Sequence, residues 1–331
     1  MNILGIETSC DETSVAVVQD GKAVLSNVII SSLREHAHYG GVIPEIASRR
    51  QLECITAVCQ QALAQANVTF DDIDAIAVTS HPGLIGSLLV GISFARSLSY
   101  ALGKPLIYVD HIEAHAYANF LTFKKDPQTI QPPPTLPAVA LVVSGGHTNL
   151  YHMKSFKKFR LLGQTRDDAA GEAFDKVAKI LDLGYPGGPV IDQLAKTGRC
   201  RYPRFKCASL PNTFDFSFSG IKTAVLYHQR DHKDNKDFSV NRIAYAFQES
   251  VISILVKKCL AACQKFKTNT LLIGGGVAAN SSLRQHLKES ADHNGIHVYF
   301  PPMSVCTDNA AMIAGLGFHH RLDKERSSYS C

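Results

Sequence analysis

The chain has no long apolar run, no cysteine framework and little net charge, and each absence narrows what it can be. No apolar stretch reaches the roughly 18 residues of a membrane-spanning helix. The sequence therefore predicts a protein without membrane association, working in the cytoplasm. The first residues, Met-Asn-Ile-Leu-Gly-Ile-Glu, lack a basic start and soon turn acidic, which argues against a secretory signal. Nine cysteines are scattered, and no Cys-x-x-Cys pair occurs; Cys259 and Cys263 fall on one expected helix. Such usage predicts free thiols in a reducing compartment. A net charge of +5 does not establish nucleic-acid binding, but it is compatible with one basic face. The His-Glu-x-x-His of a zinc peptidase is also missing.

What is present suits a globular protein of two ordinary domains: 331 residues, 45% hydrophobic and 19% charged. Strands are expected at Asn2 to Glu7, Ser14 to Gln19 and Ala23 to Ile30, with Asp20-Gly21 as a hairpin turn. A helix from Pro44 to Asn67, a strand from Ile73 to Thr79, a helix from Gly86 to Leu102 and a strand from Leu106 to Val109 follow. Asp126 to Pro137, with Pro132, Pro133 and Pro134 in a row, reads as a stiff linker. Then the order restarts. Strands are expected at Ala138 to Val143, Asn149 to Met153 and Phe159 to Leu162. Helices at Ile243 to Phe266 and Ser281 to Asn294 alternate with strands at Thr270 to Ile273 and Ile296 to Phe300. The repeat predicts a duplicated α/β fold whose two lobes flank a cleft. One lobe comprises residues 1–130 with 306–331 and the other 131–305, with an insertion at about 163–238.

His111-Ile-Glu-Ala-His115 is the feature that carries chemistry. Residues four apart share a helix face, so the two imidazoles can hold one divalent metal. The plainer alternative is a pair of solvated or capping histidines. Glu113 lies about 200° round the helix from His111 at about 100° per residue, which is the wrong place for a peptidase base. Three polar turns look suited to a nucleotide: Thr8 to Thr13, Ser144-Gly-Gly-His-Thr148 and Gly274-Gly-Gly276 leading to Asn280. Glycines there let backbone amides approach a phosphate, and a helix N-terminus can face an anion. Asp308, in Cys306-Thr-Asp-Asn309, is either a cap of the last helix or a third metal ligand. Two imidazoles and one carboxylate suit Zn or Fe(II).

The chain resembles the bacterial TsaD family, the tRNA threonylcarbamoyladenosine transferases once called glycoproteases. The likeness runs in order from about residue 3 to about residue 318. It is carried by Glu7-Thr-Ser-Cys-Asp-Glu-Thr13, Tyr39 to Arg49, His111 to His115, Val143 to Thr148, Asp167 to Lys176, Gly187-Gly-Pro189, Phe216 to Gly220, Gly274 to Asn280 and Cys306 to Asn309. The resemblance implies an actin/Hsp70/sugar-kinase-like (ribonuclease H-like) fold. It implies that His111, His115 and Asp308 bind one divalent metal ion, Fe(II) first, with Zn or Mg as alternatives. Val142, Val143, Ser144, Gly145, Gly146, Asp175, Gly188, Asp192 and Asn280 would bind the substrate nucleotide. Asp11 and Glu12 would orient groups or move a proton near the reacting centre. The implied reaction moves a threonylcarbamoyl group from threonylcarbamoyl-adenylate to N6 of adenosine 37 in the anticodon loop of tRNAs reading ANN codons. TsaB-like and TsaE-like proteins are the implied partners. A metal-dependent peptidase, or an ATPase or sugar kinase of the same fold, is the alternative. Arg199, Arg201, Tyr202, Arg204, Phe205 and Lys206 form a candidate tRNA surface, with a solvated loop as the other reading. One departure is His81-Pro-Gly-Leu84, where the family usually has Gly-Pro-Gly-Leu.

Overall fold

The computed structural model describes residues 1–123, 132–198, 205–208, 210–235 and 238–328. Through the first proline-rich stretch the elements are β1 (Asn2–Glu7), β2 (Glu12–Gln19), β3 (Ala23–Ser31), α1 (Leu33–Ala37), α2 (Pro44–Ala66), β4 (Ala75–His81), α3 (Ile85–Leu102), β5 (Leu106–Asp110), α4 (His111–Tyr117) and β6 (Thr122–Phe123). Then come β7 (Ala138–Val143), β8 (Thr148–Ser155), β9 (Lys158–Gln164), α5 (Ala170–Ile180), α6 (Gly187–Thr197), α7 (Ser219–His232), α8 (Val240–Phe266), β10 (Thr270–Gly274), α9 (Ser281–Asp292), β11 (His297–Tyr299) and α10 (Ala310–Ser328). The chain forms two compact units, Met1–Pro134 with Pro301–Cys331, and Thr135–Phe300.

The first unit holds a sheet in the order β5-β4-β1-β2-β3-β6. β1, β2 and β3 form an antiparallel meander. Asp20 and Gly21 both have positive φ, 50° and 71°, as a tight hairpin turn requires. β4 and β5 add on in parallel beside β1. The short β6, which periodicity does not reveal, pairs with Ala23 and Val24 of β3. Alternation sends Leu4, Ile6, Val15, Val17, Ile76 and Val78 into a core with Ile55 and Val58 of α2. Gly5 lies between these positions and faces the other way, toward α10. A Cβ there would lie 2.3 Å from the Ala310 carbonyl oxygen, so the helix can sit this close only over glycine. Asn67 (φ 55°) and Gly103 (φ 63°) end α2 and α3 with left-handed caps.

α3 corrects one expectation. Its 18 residues are long and apolar enough to cross a membrane by length and composition, and 17% of them are buried. Ser87, Gly91 and Ala95, four apart, form its buried stripe. Through it the helix packs against β4 and α2, while Ile85 and Leu89 are exposed.

The second unit repeats the order as β11-β10-β7-β8-β9. β7, β8 and β9 are antiparallel, and β10 and β11 add in parallel beside β7. β7 is buried along its whole length, which matches its run Ala-Val-Ala-Leu-Val-Val. The 27-residue α8 packs on β7, β10, α6, α7 and α9. Between β9 and α8 lie α5, α6 and α7, and Phe174 of α5 meets Phe247 of α8 edge to face at 5.0 Å. Two sheets of one strand order, joined in one chain, are the duplicated actin/Hsp70/sugar-kinase-like arrangement.

Candidate functional site

In the first unit, α4 begins at His111. Asp110 ends β5 and accepts hydrogen bonds from the backbone N–H of Ile112 (2.7 Å) and Glu113 (2.9 Å). It is the N-cap, and Asp110-x-x-Glu113 was a readable signal for it. The cap sets both histidines on one short, buried helix: His111 is 5% exposed and His115 1%. Their rings meet edge to face at 4.6 Å.

Asp308 comes to them from just before α10. Its Oδ1 lies 3.1 Å from His115 Nε2 and 3.5 Å from His111 Nε2. At the start of α10, Asn309 accepts from Met312 N–H (3.1 Å) and Ser14 Oγ from Ala310 N–H (2.9 Å). Donor atoms of His111, His115 and Asp308 all lie within 4.8 Å of one another. Ligand atoms bound at about 2.0–2.2 Å to one ion sit roughly 3.0–3.5 Å apart, so the spacing fits a shared cation.

The charge balance fits it as well. Burial alone would lift the Glu7 carboxyl, but the facing His111 imidazole outweighs it and holds the group below its usual range. Burial opposes a charge on His111, yet Glu7 and then Asp308 lift it to about 9. Burial holds His115 below its usual value against its hydrogen bond with Asp308. Glu12 is pushed well above the carboxylate range by burial, then by Asp308 and Asp11. Excess negative charge therefore gathers where a cation would relieve it. The residues present fit a divalent metal ion.

Asp11 lies in the turn from β1 to β2 and Glu12 opens β2, and neighbouring elements hold this stretch. Gln51 of α2 donates to the carbonyls of Cys10 (2.8 Å) and Glu12 (3.1 Å). Ser32 donates to the Asp11 carbonyl through N–H (3.0 Å) and Oγ (2.8 Å). His81, the departure from the family pattern, faces Asp110 with its Nε2 3.1 Å from Oδ2. It replaces no ligand. Sequence reasoning missed Glu7 as a functional residue. It is fully buried, and it meets a histidine 104 positions away.

In the second unit the expected nucleotide residues form a ring of contacts. The Ser144 carbonyl accepts from Gly171 N–H at the start of α5 (3.1 Å). Asp175, in α5, accepts from Gly187 N–H at the start of α6 (2.7 Å). Asp192, in α6, accepts from Ser281 N–H (3.2 Å) and Oγ (2.9 Å) at the start of α9. Asn280 caps α9 by accepting from Leu283 N–H (2.9 Å) and also donates to Gln248 (2.8 Å). The ring closes at Gly275, where a Cβ would lie 2.3 Å from the Val143 carbonyl oxygen. Val142 and Val143 are fully buried. By contrast, a Cβ on Gly145, Gly146 or Gly188 would meet nothing within 4 Å. Burial raises the Asp175 carboxyl against the N–H groups of Gly187 and Gly188. Three helix N-termini and a glycine turn thus sit around one ring, an arrangement suited to an anion and its sugar.

Of the candidate tRNA surface, Arg199, Arg201, Tyr202 and Arg204 lie outside the described residues. Lys206 is exposed, and Phe205 packs edge to face on His228 at 5.7 Å.

Comparison with known proteins accords with this geometry. A relative from Clostridium botulinum (strain 657), named tRNA N6-adenosine threonylcarbamoyltransferase, is 50% identical over 331 residues, covering 99% of this chain and 95% of the relative. A Moorella thermoacetica relative of the same name is 50% identical over 327 residues, covering 98% and 93%. Full-length HypF in a phosphate- and nucleotide-bound form superposes with a TM-score of 0.62 at 15% identity, covering 99% of this chain and 56% of HypF, a likeness of fold alone. The family model for TsaD, tRNA N6-adenosine threonylcarbamoyltransferase, matches residues 23–315, and the chain belongs to that family.

Proposed function

We propose that this protein transfers the threonylcarbamoyl group of threonylcarbamoyl-adenylate to N6 of adenosine 37 in the anticodon loop of tRNAs that read ANN codons. The observation that carries the reading is the convergence of His111, His115 and Asp308 in a chain half identical, over nearly its whole length, to transferases of that name.

The chemistry asks for positioning more than for activation. The adenylate is a mixed anhydride whose carbonyl is already electrophilic, whereas an exocyclic adenine amine is a weak nucleophile. The protein must hold both in attack geometry and stabilise charge on oxygen. In this reading the ring of Val142, Val143, Ser144, Gly145, Gly146, Asp175, Gly188, Asp192 and Asn280 binds the adenylate. Backbone N–H groups face phosphate, and the carboxylates face ribose hydroxyls. His111, His115 and Asp308 hold one divalent ion, Fe(II) first, with Zn or Mg as alternatives. When bound, that ion would supply positive charge to the developing carbonyl oxygen. Asp11 and Glu12 orient the reacting groups or take up the proton that N6 releases. A base in an anticodon loop lies outside helical stacking and is open to such a site. TsaB-like and TsaE-like proteins complete the system, which works in the cytoplasm without membrane association.

The test is transfer of labelled threonine from purified threonylcarbamoyl-adenylate to an anticodon-loop RNA in the presence of both partners. Label should enter RNA with adenosine 37 and not RNA with guanosine there. Equal labelling of both RNAs would remove the N6 acceptor from the account.

A further inference from the structure

Glu7 is the most deeply placed carboxylate near the metal cluster, and no ligand role accounts for it. It is 0% exposed. Each of its oxygens has a donor. The Ser9 backbone N–H donates to Oε1 (2.5 Å), and the Thr79 hydroxyl donates to Oε2 (2.5 Å). Oε2 also lies 3.0 Å from His111 Nδ1, and the Ser9 hydroxyl stands 3.2 Å from the same nitrogen. The opposite ring nitrogen, Nε2, is the one that faces Asp308. His115 differs: its Nδ1 is buried with no hydrogen-bond partner among the described residues.

We infer that Glu7 is a positioning residue that fixes His111 with its proton on Nδ1, so that the Nε2 lone pair is presented to the cation. The inference rests on the metal reading of His111, His115 and Asp308. An ionised carboxylate only accepts hydrogen bonds, so the hydrogen shared with His111 must belong to Nδ1. A neutral imidazole has one N–H, and placing it on Nδ1 leaves Nε2 free to bind. Ligating histidines commonly have such a carboxylate behind them, and its loss weakens binding by about 10–100-fold. Thr79 and Ser9 in turn hold the carboxylate. Glu7 ends β1 and Thr79 lies in β4, so the ligand on α4 is tied to two strands of the first sheet. His115 has no equivalent partner and is oriented by packing and by Asp308.

Glu7→Gln is the informative substitution because it keeps the shape. The Ser9 N–H cannot turn round, so the glutamine carbonyl takes the Oε1 place. Its NH2 then points at His111 Nδ1, while the Thr79 hydroxyl can rotate to accept. A donor facing Nδ1 drives the ring proton to Nε2, where it blocks the cation.

The test uses the full chain and Zn2+ as probe, with affinity measured by chelator competition and the ring by 15N-histidine NMR of the zinc-loaded protein. The expected result is a slowly exchanging His111 Nδ1–H in the wild type and a loss of Zn2+ affinity of about 10–100-fold in Glu7→Gln. Glu7→Asp, which keeps an acceptor but shortens its reach, should fall between the two. Wild-type affinity in Glu7→Gln, with binding lost in Asp308→Ala, would overturn the inference and leave the metal reading intact. Wild-type zinc bound through His111 Nδ1 would overturn it too, whether or not the variant folds. Undiminished binding in both His111→Ala and Asp308→Ala would overturn the metal reading itself.

Discussion

The two units share a strand order and hold polar groups in opposite ways. In the first, side chains converge: two imidazoles and a carboxylate meet within 4.8 Å, backed by a carboxylate with no exposure. In the second, backbone groups converge: the starts of α5, α6 and α9 and the turns after β7 and β10 are linked through Gly171, Gly187, Ser281 and Gly275. In the proposed reading, one architecture offers a charged grip in the first unit and a grip at helix starts in the second. Side chains suit a cation, which needs few strong donors at fixed distance. Amides and helix N-termini suit a phosphate, whose charge is spread over several oxygens.

The contrast can be broken, first and most strongly, at Asp308. Asp308→Ala should lower transferase turnover at least about 100-fold, since a bound cation contributes several kcal/mol at a developing charge. Bound metal should disappear from elemental analysis, while AMP affinity, set by the second unit, stays unchanged. Loss of AMP binding in that variant would show that the two grips are not separable.

Gly275→Ala should come next, and in the other direction. The residue has φ +88°, and an added Cβ would lie 2.3 Å from the Val143 carbonyl. Backbone strain of this kind costs about 1–3 kcal/mol. Urea denaturation should show a loss of that size, AMP affinity should fall, and metal content should hold. A milder probe of the same ring is Asp192→Asn. It weakens the acceptor that holds Ser281, and hydrogen bonds to charged groups contribute about 1.5–3 kcal/mol. Titration calorimetry with AMP should show a drop of roughly tenfold.

His81→Gly should matter least. Its pair with Asp110 is 68% exposed on the histidine side, and exposed pairs contribute about 0–1 kcal/mol. Turnover should stay within about twofold. A larger loss would mean that His81 steadies α4 through its cap.

Much of this was legible in the chain itself. The repeat of three strands, helix, strand, helix, strand was visible because period-2 and period-3.6 patterns alternate twice. The spacing of His111 and His115 was visible because helices bring such residues together. The glycine turns were visible for a related reason, since glycine clusters between strand and helix are local signals. What stayed hidden was long-range or conditional. Glu7 sat in plain view inside a motif, but nothing local says that it will meet His111. Asp308 lies 193 positions from His115, and no local pattern says that the two will meet. β6 is two residues long and owes its state to its neighbour in the sheet rather than to its own sequence. α7 opens at Ser219, and the hydroxyls of Ser217 and Ser219 both donate to Asp167, which no local pattern reveals.

The most direct measurement combines both grips in one reaction. Purified protein, a divalent metal, TsaB-like and TsaE-like partners, threonylcarbamoyl-adenylate and unmodified tRNA are incubated, and the digested nucleosides are analysed by mass spectrometry. The account predicts N6-threonylcarbamoyladenosine at position 37 with the wild type and almost none with Asp308→Ala or with metal removed. No modified nucleoside from this chain, where the Moorella thermoacetica relative under the same conditions produces it, would contradict the central claim.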